Sequence, residues 1–179
     1  MVWEIIDRKV VVDSPPWLRV VSEKVRLPNG VEVDGFWRVE QPAFVVIFAV
    51  TRDAQVPFVT HYRHGPRVVS LDLPAGYVHE GEDPEEAAAR ELMEETGLTA
   101  ENYLKLGDYY LDGNRWCGQC HFFLANEARQ VAEPNSGDLE EQTVRLVALA
   151  DVRATIVDAT GVQNISTVAA ALLALDKLR

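Results

Sequence analysis

Residues 76–98 contain a single arginine, Arg90, and four of the glutamates in this segment are spaced around it: Glu82, Glu91, Glu94 and Glu95. Glu91 and Glu95 are four residues apart and Glu94 lies between them, so on a helix their carboxylates share one patch of surface. A patch of acids in the last helical turn is unfavourable, because that end carries the negative pole of the helix dipole. A bound divalent cation would offset this repulsion. Oxygen ligands without histidine or cysteine favour Mg²⁺ or Mn²⁺ over zinc.

The flanking residues predict the helix that carries these acids. Asp83 is a good N-cap, Pro84 suits the first helical position, and Gly97 suits the left-handed residue that ends a helix. Arg90 can pair with Glu94 or Glu82 and offset part of the negative charge. A helix with these bounds therefore presents the acids together at its C-terminal half.

An acidic, solvated helix face is the simpler explanation of a glutamate-rich helix. It does not explain the spacing of Gly76, Glu82 and Arg90 or the closing Gly97–Leu98. These residues match the Nudix box, G-x5-E-x7-R-E-U-x-E-E-x-G-U with U aliphatic, at every fixed position. The chain thus resembles the Nudix hydrolases.

The resemblance implies an α/β fold, a Nudix-type α/β/α sandwich around a mixed β-sheet, and a Mg²⁺- or Mn²⁺-dependent pyrophosphatase. It implies Glu91 and Glu95 as the main metal ligands, with Glu94 joining them or lying one shell further out. Ala75 would add its backbone carbonyl. Among the catalytic residues, Glu82 would act through water and Arg90 would orient the glutamates.

Further segments are similar to the ADP-ribose and nucleotide-sugar pyrophosphatase branch of that family: residues 25–30, 61–65, 71–76 and 164–175. The resemblance implies hydrolysis of ADP-ribose, or of a hexose nucleotide such as GDP-mannose or ADP-glucose, to a nucleoside monophosphate and a sugar phosphate. The ADP-ribose subgroup commonly has a proline where this chain has Gly113. Because of that departure, hexose nucleotides remain alternative substrates to ADP-ribose. A non-catalytic Nudix domain that senses nucleotide sugars is the alternative function.

The branch usually takes its general base from an acidic loop after the box. One segment fits, residues 137–142, and Glu140 or Glu141 is the predicted base. The alternative is an ordinary acidic surface loop.

Substrate contacts are expected from cationic and aromatic residues outside the helix. Arg63 occupies the family position that commonly contacts the diphosphate, with Arg67 nearby, although Arg63 could instead be a strand residue paired to a carboxylate. Trp17 is the candidate platform for the base, or else a hydrophobic anchor for the N-terminal arm. Arg115 is a candidate contact to the terminal sugar.

Length and charge limit the remaining possibilities. The 179 residues, 47% hydrophobic, suit one compact catalytic domain at residues 41–179 with a β-rich N-terminal arm at residues 1–40 for dimerisation and base binding. A formal net charge of −11 argues against a nucleic-acid polymer as partner. Neither a membrane-length apolar run nor a signal peptide is visible, so we expect a cytoplasmic protein without a membrane partner. A homodimer is implied by the resemblance alone.

Hydrophobic patterning predicts strands at residues 31–39, 44–51, 56–63, 102–111, 120–125 and 144–149, a short helix capped by Asp151, and a last helix starting at Asn164 or Ser166. Residues 116–121 contain Cys117 and Cys120 in a C-x-x-C-H pattern. A strand-like sequence follows them, so they are interpreted as reduced structural thiols and not as a redox or haem site.

Overall fold

The computed structural model describes residues 2–137, 142–158, 161–162 and 164–179. The strands are β1 (Glu4–Ser14), β2 (Leu18–Arg26), β3 (Glu32–Glu40), β4 (Phe44–Thr51), β5 (Gln55–Arg63), β6 (Val68–Asp72), β7 (Ala75–Tyr77), β8 (Leu98–Thr99), β9 (Tyr103–Asp112), β10 (Trp116–Gln130) and β11 (Thr143–Ala148). The helices are α1 (Pro84–Thr96), α2 (Val152–Val157) and α3 (Ile165–Lys177). The six predicted strands are present. Sequence patterning missed the short strands β6, β7 and β8.

The first of two compact units comprises Met1–Ala43 and Tyr109–Cys120. In it β1, β2 and β3 form an antiparallel meander, whose second turn lies at residues 28–30. The start of β10 pairs in parallel with β3, with Trp116 opposite Val39. The mixed sheet that was predicted is therefore present. Residues 109–120 join this unit through that pairing. The assignment of residues 1–40 to an arm for dimerisation and base binding stays a prediction.

The second unit comprises Phe44–Asp108 and His121–Arg179. Here β4 pairs with β7 and with β10, while β11, β5 and β6 form a separate three-stranded sheet. The core is built from alternate residues of β4 packed against α1 and β10. Its members are Val45, Ile47, Ala49, Ala87, Ala88, Leu92, Leu98, Phe123, Ala125 and Ala128. This packing seats α1 beside β4 and β7.

The predicted ends of α1 are confirmed. The side chain of Asp83 accepts a hydrogen bond from the backbone N–H of Glu85, and Pro84 is the first helical residue. Gly97 has a φ of 70°, and its N–H donates to the carbonyl of Met93 at 2.7 Å. The two ends therefore place Glu91, Glu94 and Glu95 in the last two turns of α1.

The other helices also begin near the predicted caps. Asn164, one of the two candidates, caps α3 by accepting from the backbone N–H of Ser166. Asp151 precedes α2, but its side chain makes no capping hydrogen bond. In the described ranges, no helix is long and apolar enough to cross a membrane.

The two cysteines lie on β10, in the first unit. Trp116, Cys117 and Gly118 at its start all have positive φ, and the chain continues from them as a strand and not as a helix. Both cysteines are free thiols; Cys117 is half-buried and Cys120 is buried. The interpretation that rejected a thioredoxin-like helix start is confirmed.

Candidate active site

Arg90 is the centre of the acidic cluster. Its Nε and Nη2 donate to the two carboxylate oxygens of Glu82 at 2.8 and 3.0 Å, and Nη1 donates to Glu91 at 2.6 Å and Glu94 at 3.1 Å. Nη2 also donates to the carbonyl of Tyr77 at 2.8 Å. These five hydrogen bonds match the number of N–H donors in a guanidinium. Arg90 is thus fully engaged in holding α1, the preceding loop and β7 together.

The carboxylates of Glu95 and Glu91 both lie against the backbone of β7. Glu95 is buried, with 6% of its surface exposed, and its carboxylate accepts from the N–H of Ala75 at 2.8 Å. The carboxylate of Glu91 lies directly over Gly76, where a Cβ would overlap all three carboxylate atoms. The first glycine of the motif is therefore required because it leaves room for Glu91.

The electrostatics of the cluster are unbalanced. Four carboxylates, those of Glu82, Glu91, Glu94 and Glu95, lie around or beside one guanidinium. The hydrogen bond from Arg90 lowers the pKa of Glu82 to about 2, and Glu82 in turn raises the pKa of Arg90. Both groups are charged at neutral pH. The surplus of negative charge remains next to the backbone of β7.

A divalent cation fits this set of donors. Carboxylate and carbonyl oxygens are the ligands that Mg²⁺ and Mn²⁺ prefer, and Glu91, Glu94, Glu95 and the carbonyl of Ala75 would supply them. Within the ranges that the structure describes, no three histidine, cysteine or acidic side chains already stand close enough together to hold a metal ion. The reason is visible in the contacts: Arg90 draws Glu91 and Glu94 to itself, while Glu95 binds β7. The ligand roles stay predictions.

A strap, residues 130–135, covers the C-terminal end of α1. The N–H groups of Val131 and Ala132 donate to the carbonyl of Gly97 at 3.0 and 3.2 Å, and that of Asn135 donates to the carbonyl of Glu94 at 2.8 Å. The last turn of a helix has carbonyls without intrahelical partners, and the strap satisfies one of them at Glu94.

The strap leads towards the predicted general base. Glu140 and Glu141 lie outside the described residues, so the choice between them stays open. Asn135, which is hydrogen-bonded to Glu94, is only a few residues before them.

Two of the predicted substrate residues belong to the second unit. Arg63, at the end of β5, donates from Nε to Asp72 at 3.0 Å, and 39% of its side chain is exposed. It is thus paired to a carboxylate, as one of the two interpretations had it, while its role with substrate stays a prediction. Arg67 is exposed in the β5–β6 turn with a φ of 60°.

The other two predicted substrate residues belong to the first unit. Trp17 lies in the turn after β1 and is 58% exposed. Arg115 lies just before β10, and its guanidinium is 3.5 Å from Asp112. Contacts with a base or a sugar stay predictions for both residues.

Sequence reasoning missed three residues that hold the candidate site residues in place. The carbonyl of Tyr77 binds Arg90, and Asn135 ties the strap to α1. Asp72 is buried and holds Arg63. None of these residues lies at a fixed position of the motif. For Asp72, the one signal in the sequence was an acidic residue at the end of a largely apolar segment, β6.

Comparison with known proteins gives the family. The model of the NUDIX domain matches residues 39–166. The ADP-ribose pyrophosphatase of Bacillus subtilis (strain 168) is 34% identical over 119 residues, which are 66% of this chain and 64% of that protein. A CMP-5'-(N-acetyl-N-hydroxy-3-aminopropyl)phosphonate hydrolase of Streptomyces rubellomurinus is 33% identical over 137 residues, 74% of this chain and 64% of that protein. Both matches span less than two thirds of the relative's length.

A solved structure supports the fold. The crystal structure of an ADP compounds hydrolase superposes with a TM-score of 0.85 and 21% identity, covering 98% of this chain and 94% of that one. The likeness confirms the predicted α/β fold with its mixed sheet and helices.

Proposed function

The chain belongs to the NUDIX domain family, and from that premise we propose that it hydrolyses the pyrophosphate bond of a nucleoside diphosphate sugar. The substrate is ADP-ribose, or a hexose nucleotide such as GDP-mannose or ADP-glucose, and the products are a nucleoside monophosphate and a sugar phosphate. The similarity to an ADP-ribose pyrophosphatase supports the first of these substrates. The missing proline at Gly113 supports testing the hexose nucleotides beside it.

One observation carries the proposal: three carboxylates surround a single arginine, and that of a fourth glutamate, Glu95, binds the backbone of β7 beside them. A domain that served only to bind a nucleotide would gain nothing from this surplus of negative charge, because it repels a diphosphate. The same arrangement is useful to a hydrolase that recruits divalent cations. This contrast favours the enzyme over a non-catalytic sensor.

Glu91 and Glu95 are the proposed main ligands of Mg²⁺ or Mn²⁺, with Glu94 and the carbonyl of Ala75 beside them. When bound, such cations neutralise the diphosphate oxygens and lower the pKa of water. Arg90 keeps Glu82 and Glu91 in place through its hydrogen bonds. Glu140 or Glu141 is the proposed base that takes the proton from the attacking water.

We also propose a homodimer formed through the first unit. The apolar side chains of Ile5, Val10, Val11 and Val12 on β1 are between 43% and 55% exposed, which is a large apolar surface for one strand. A second copy of the chain would cover it. Sedimentation that finds only monomer at micromolar concentration would rule this out.

The test of the activity is a panel of nucleoside diphosphate sugars and dinucleotides, assayed with Mg²⁺ and with Mn²⁺ by coupling to a phosphatase. Glu95→Gln should lower turnover by at least about a hundredfold, since it removes a charged ligand. Glu86→Gln, at an exposed position of the same helix, is the matched control and should retain turnover. Wild-type activity in Glu95→Gln would refute the assignment of the metal site. Release of no phosphate from any compound would favour the sensor.

A further inference from the structure

Asp72, the last residue of β6, is a buried carboxylate whose acceptor sites are filled. With 1% of its surface exposed, it accepts from His61 Nε2 at 2.9 Å and Arg63 Nε at 3.0 Å on one oxygen. Its other oxygen accepts from the hydroxyls of Ser70 at 3.0 Å and Thr167 at 3.4 Å. An ionised carboxylate offers about four acceptor sites. Every one of them therefore has a donor.

The strand register explains how these groups meet. In the antiparallel pair of β5 and β6, His61 lies opposite Ser70, so alternate residues of both strands share one face of the sheet. Asp72 is the diagonal neighbour of His61 on that face. Arg63 lies further along β5, and its side chain extends back along the strand to reach the same oxygen as His61.

The hydrogen bond to Asp72 uses the inner nitrogen of Arg63. Within the described part of the chain, this is the only hydrogen bond that the side chain of Arg63 makes. Its Nη groups therefore have no protein acceptor there. The side chain is 39% exposed. A guanidinium anchored through Nε presents its two Nη groups as a fork, which suits two oxygens of a phosphate.

The position of Asp72 links this fork to the acidic cluster. Asp72 is three residues before Ala75, whose N–H binds Glu95, so their Cα atoms are at most about 11 Å apart. Leu73, between them, is fixed by a hydrogen bond from its N–H to the hydroxyl of Thr167 at 3.2 Å. The residue that anchors the fork, Asp72, and the residue that binds Glu95, Ala75, therefore lie on one short, constrained piece of chain.

A gain in stability does not by itself explain why a charged Asp72 is buried here. A buried ion pair contributes little net stability compared with apolar residues of the same volume. Burial by itself raises the pKa of Asp72, but the hydrogen bonds from His61, Arg63 and Ser70 lower it below its usual value. The carboxylate is thus kept charged inside the protein, where its charge acts on the orientation of Arg63.

We propose that Asp72 is a positioning residue that holds Arg63 so that its Nη groups receive a diphosphate. The identity of the full substrate rests on the proposed function above, but the contact with a diphosphate anion can be measured separately. His61 and the two hydroxyls fix the carboxylate, and the carboxylate fixes the guanidinium.

The experiment is calorimetric titration with inorganic pyrophosphate in the presence of Mg²⁺. It compares wild type with Arg63→Ala, Asp72→Asn, the double variant and Arg63→Lys. Removing a charged hydrogen-bonding group of this kind changes affinity by about tenfold. We expect that loss in Arg63→Ala and in Asp72→Asn, with less than a further twofold loss when the two are combined. Arg63→Lys should bind as weakly as Arg63→Ala, because an ammonium has no fork to share between carboxylate and anion.

Asp108→Asn is the matched control. Asp108 also pairs with a histidine, His121 at 2.6 Å, and with a cation, Lys105 at 2.8 Å, in the same unit. Pyrophosphate affinity in that variant should stay within about twofold of wild type. Circular dichroism and thermal melts establish whether Asp72→Asn folds, and if it does not, the comparison of Arg63→Lys with Arg63→Ala decides the question.

Several results would overturn the proposal: a wild type that does not bind pyrophosphate, losses that multiply in the double variant, or Arg63→Lys with wild-type affinity. Asp72→Asn that folds and binds normally would do the same. If the expected pattern is found but no nucleotide sugar is hydrolysed, the proposed function fails and the role of Asp72 stands.

Discussion

Replacing Gly76 with alanine is the sharpest perturbation that the structure offers. The added Cβ would overlap the Cδ and both oxygens of Glu91. Restoring an ordinary contact of roughly 3.5 Å requires the carboxylate to move by more than about 1 Å. Displacements of about 1 Å in a reacting site lower rates by about a hundredfold. We therefore expect Gly76→Ala to lose about that factor in kcat.

The backbone conformation makes this a clean test of side-chain position. Gly76 is not among the glycines with positive φ, so alanine adds no backbone strain there. Gly65→Ala is the control, because Gly65 also lacks a positive φ and its Cβ would meet nothing within 4 Å. The assay is phosphate release against Mg²⁺ concentration, with urea unfolding to compare stability. If Gly76→Ala retains both the turnover and the Mg²⁺ dependence of wild type, the position of Glu91 does not matter and the reasoning is wrong.

Two further predictions concern stability. Gly97→Ala should lower the free energy of unfolding by about 1–3 kcal/mol, because the residue has a φ of 70° and its Cβ would overlap the carbonyl oxygen of Ala132. Urea unfolding beside Gly113→Ala, which meets nothing within 4 Å, tests this, and equal stabilities would contradict it. The folded pKa of Asp72 lies below its usual 3.8, so its charge stabilises the fold above that pH and loses this effect as the pH falls through the lower value. The difference in unfolding free energy between wild type and Asp72→Asn should thus be constant from about pH 7 to 5 and shrink below about pH 4. A difference that grows in acid would contradict a lowered pKa for Asp72.

The local features of α1 could be predicted from the sequence because each depends on residues a few positions apart. Asp83 caps the helix that starts at Pro84, and Gly97 ends it. The pairing of Arg90 with Glu94 follows from helical spacing, and its pairing with Glu82 from the motif. Propensity and helix geometry are sufficient for such contacts.

Contacts that depend on strand register could not be predicted in this way. Arg63 and Asp72 are brought together by the β5–β6 pairing, which no spacing rule specifies. Residues 109–120 belong to the first unit because β10 pairs with β3, a contact between distant parts of the sequence. The motif also specifies a glycine at position 76, but it does not explain why a larger residue is excluded there. That reason is the position of the Glu91 carboxylate, which only the packing of α1 on β7 establishes.

The two arginines of the site have separate tasks, and the hydrogen bonds explain why. Arg90 donates all its N–H groups to Glu82, Glu91, Glu94 and the Tyr77 carbonyl, so it has no donor left for a phosphate. Among the described residues, Arg63 is anchored through Nε alone. Four carboxylates against the single charge of Arg90 leave the cluster repulsive to a diphosphate, in a chain whose net charge is already −11. Attraction must then come from cations bound to the glutamates and from the fork of Arg63, and binding of pyrophosphate should depend on both together.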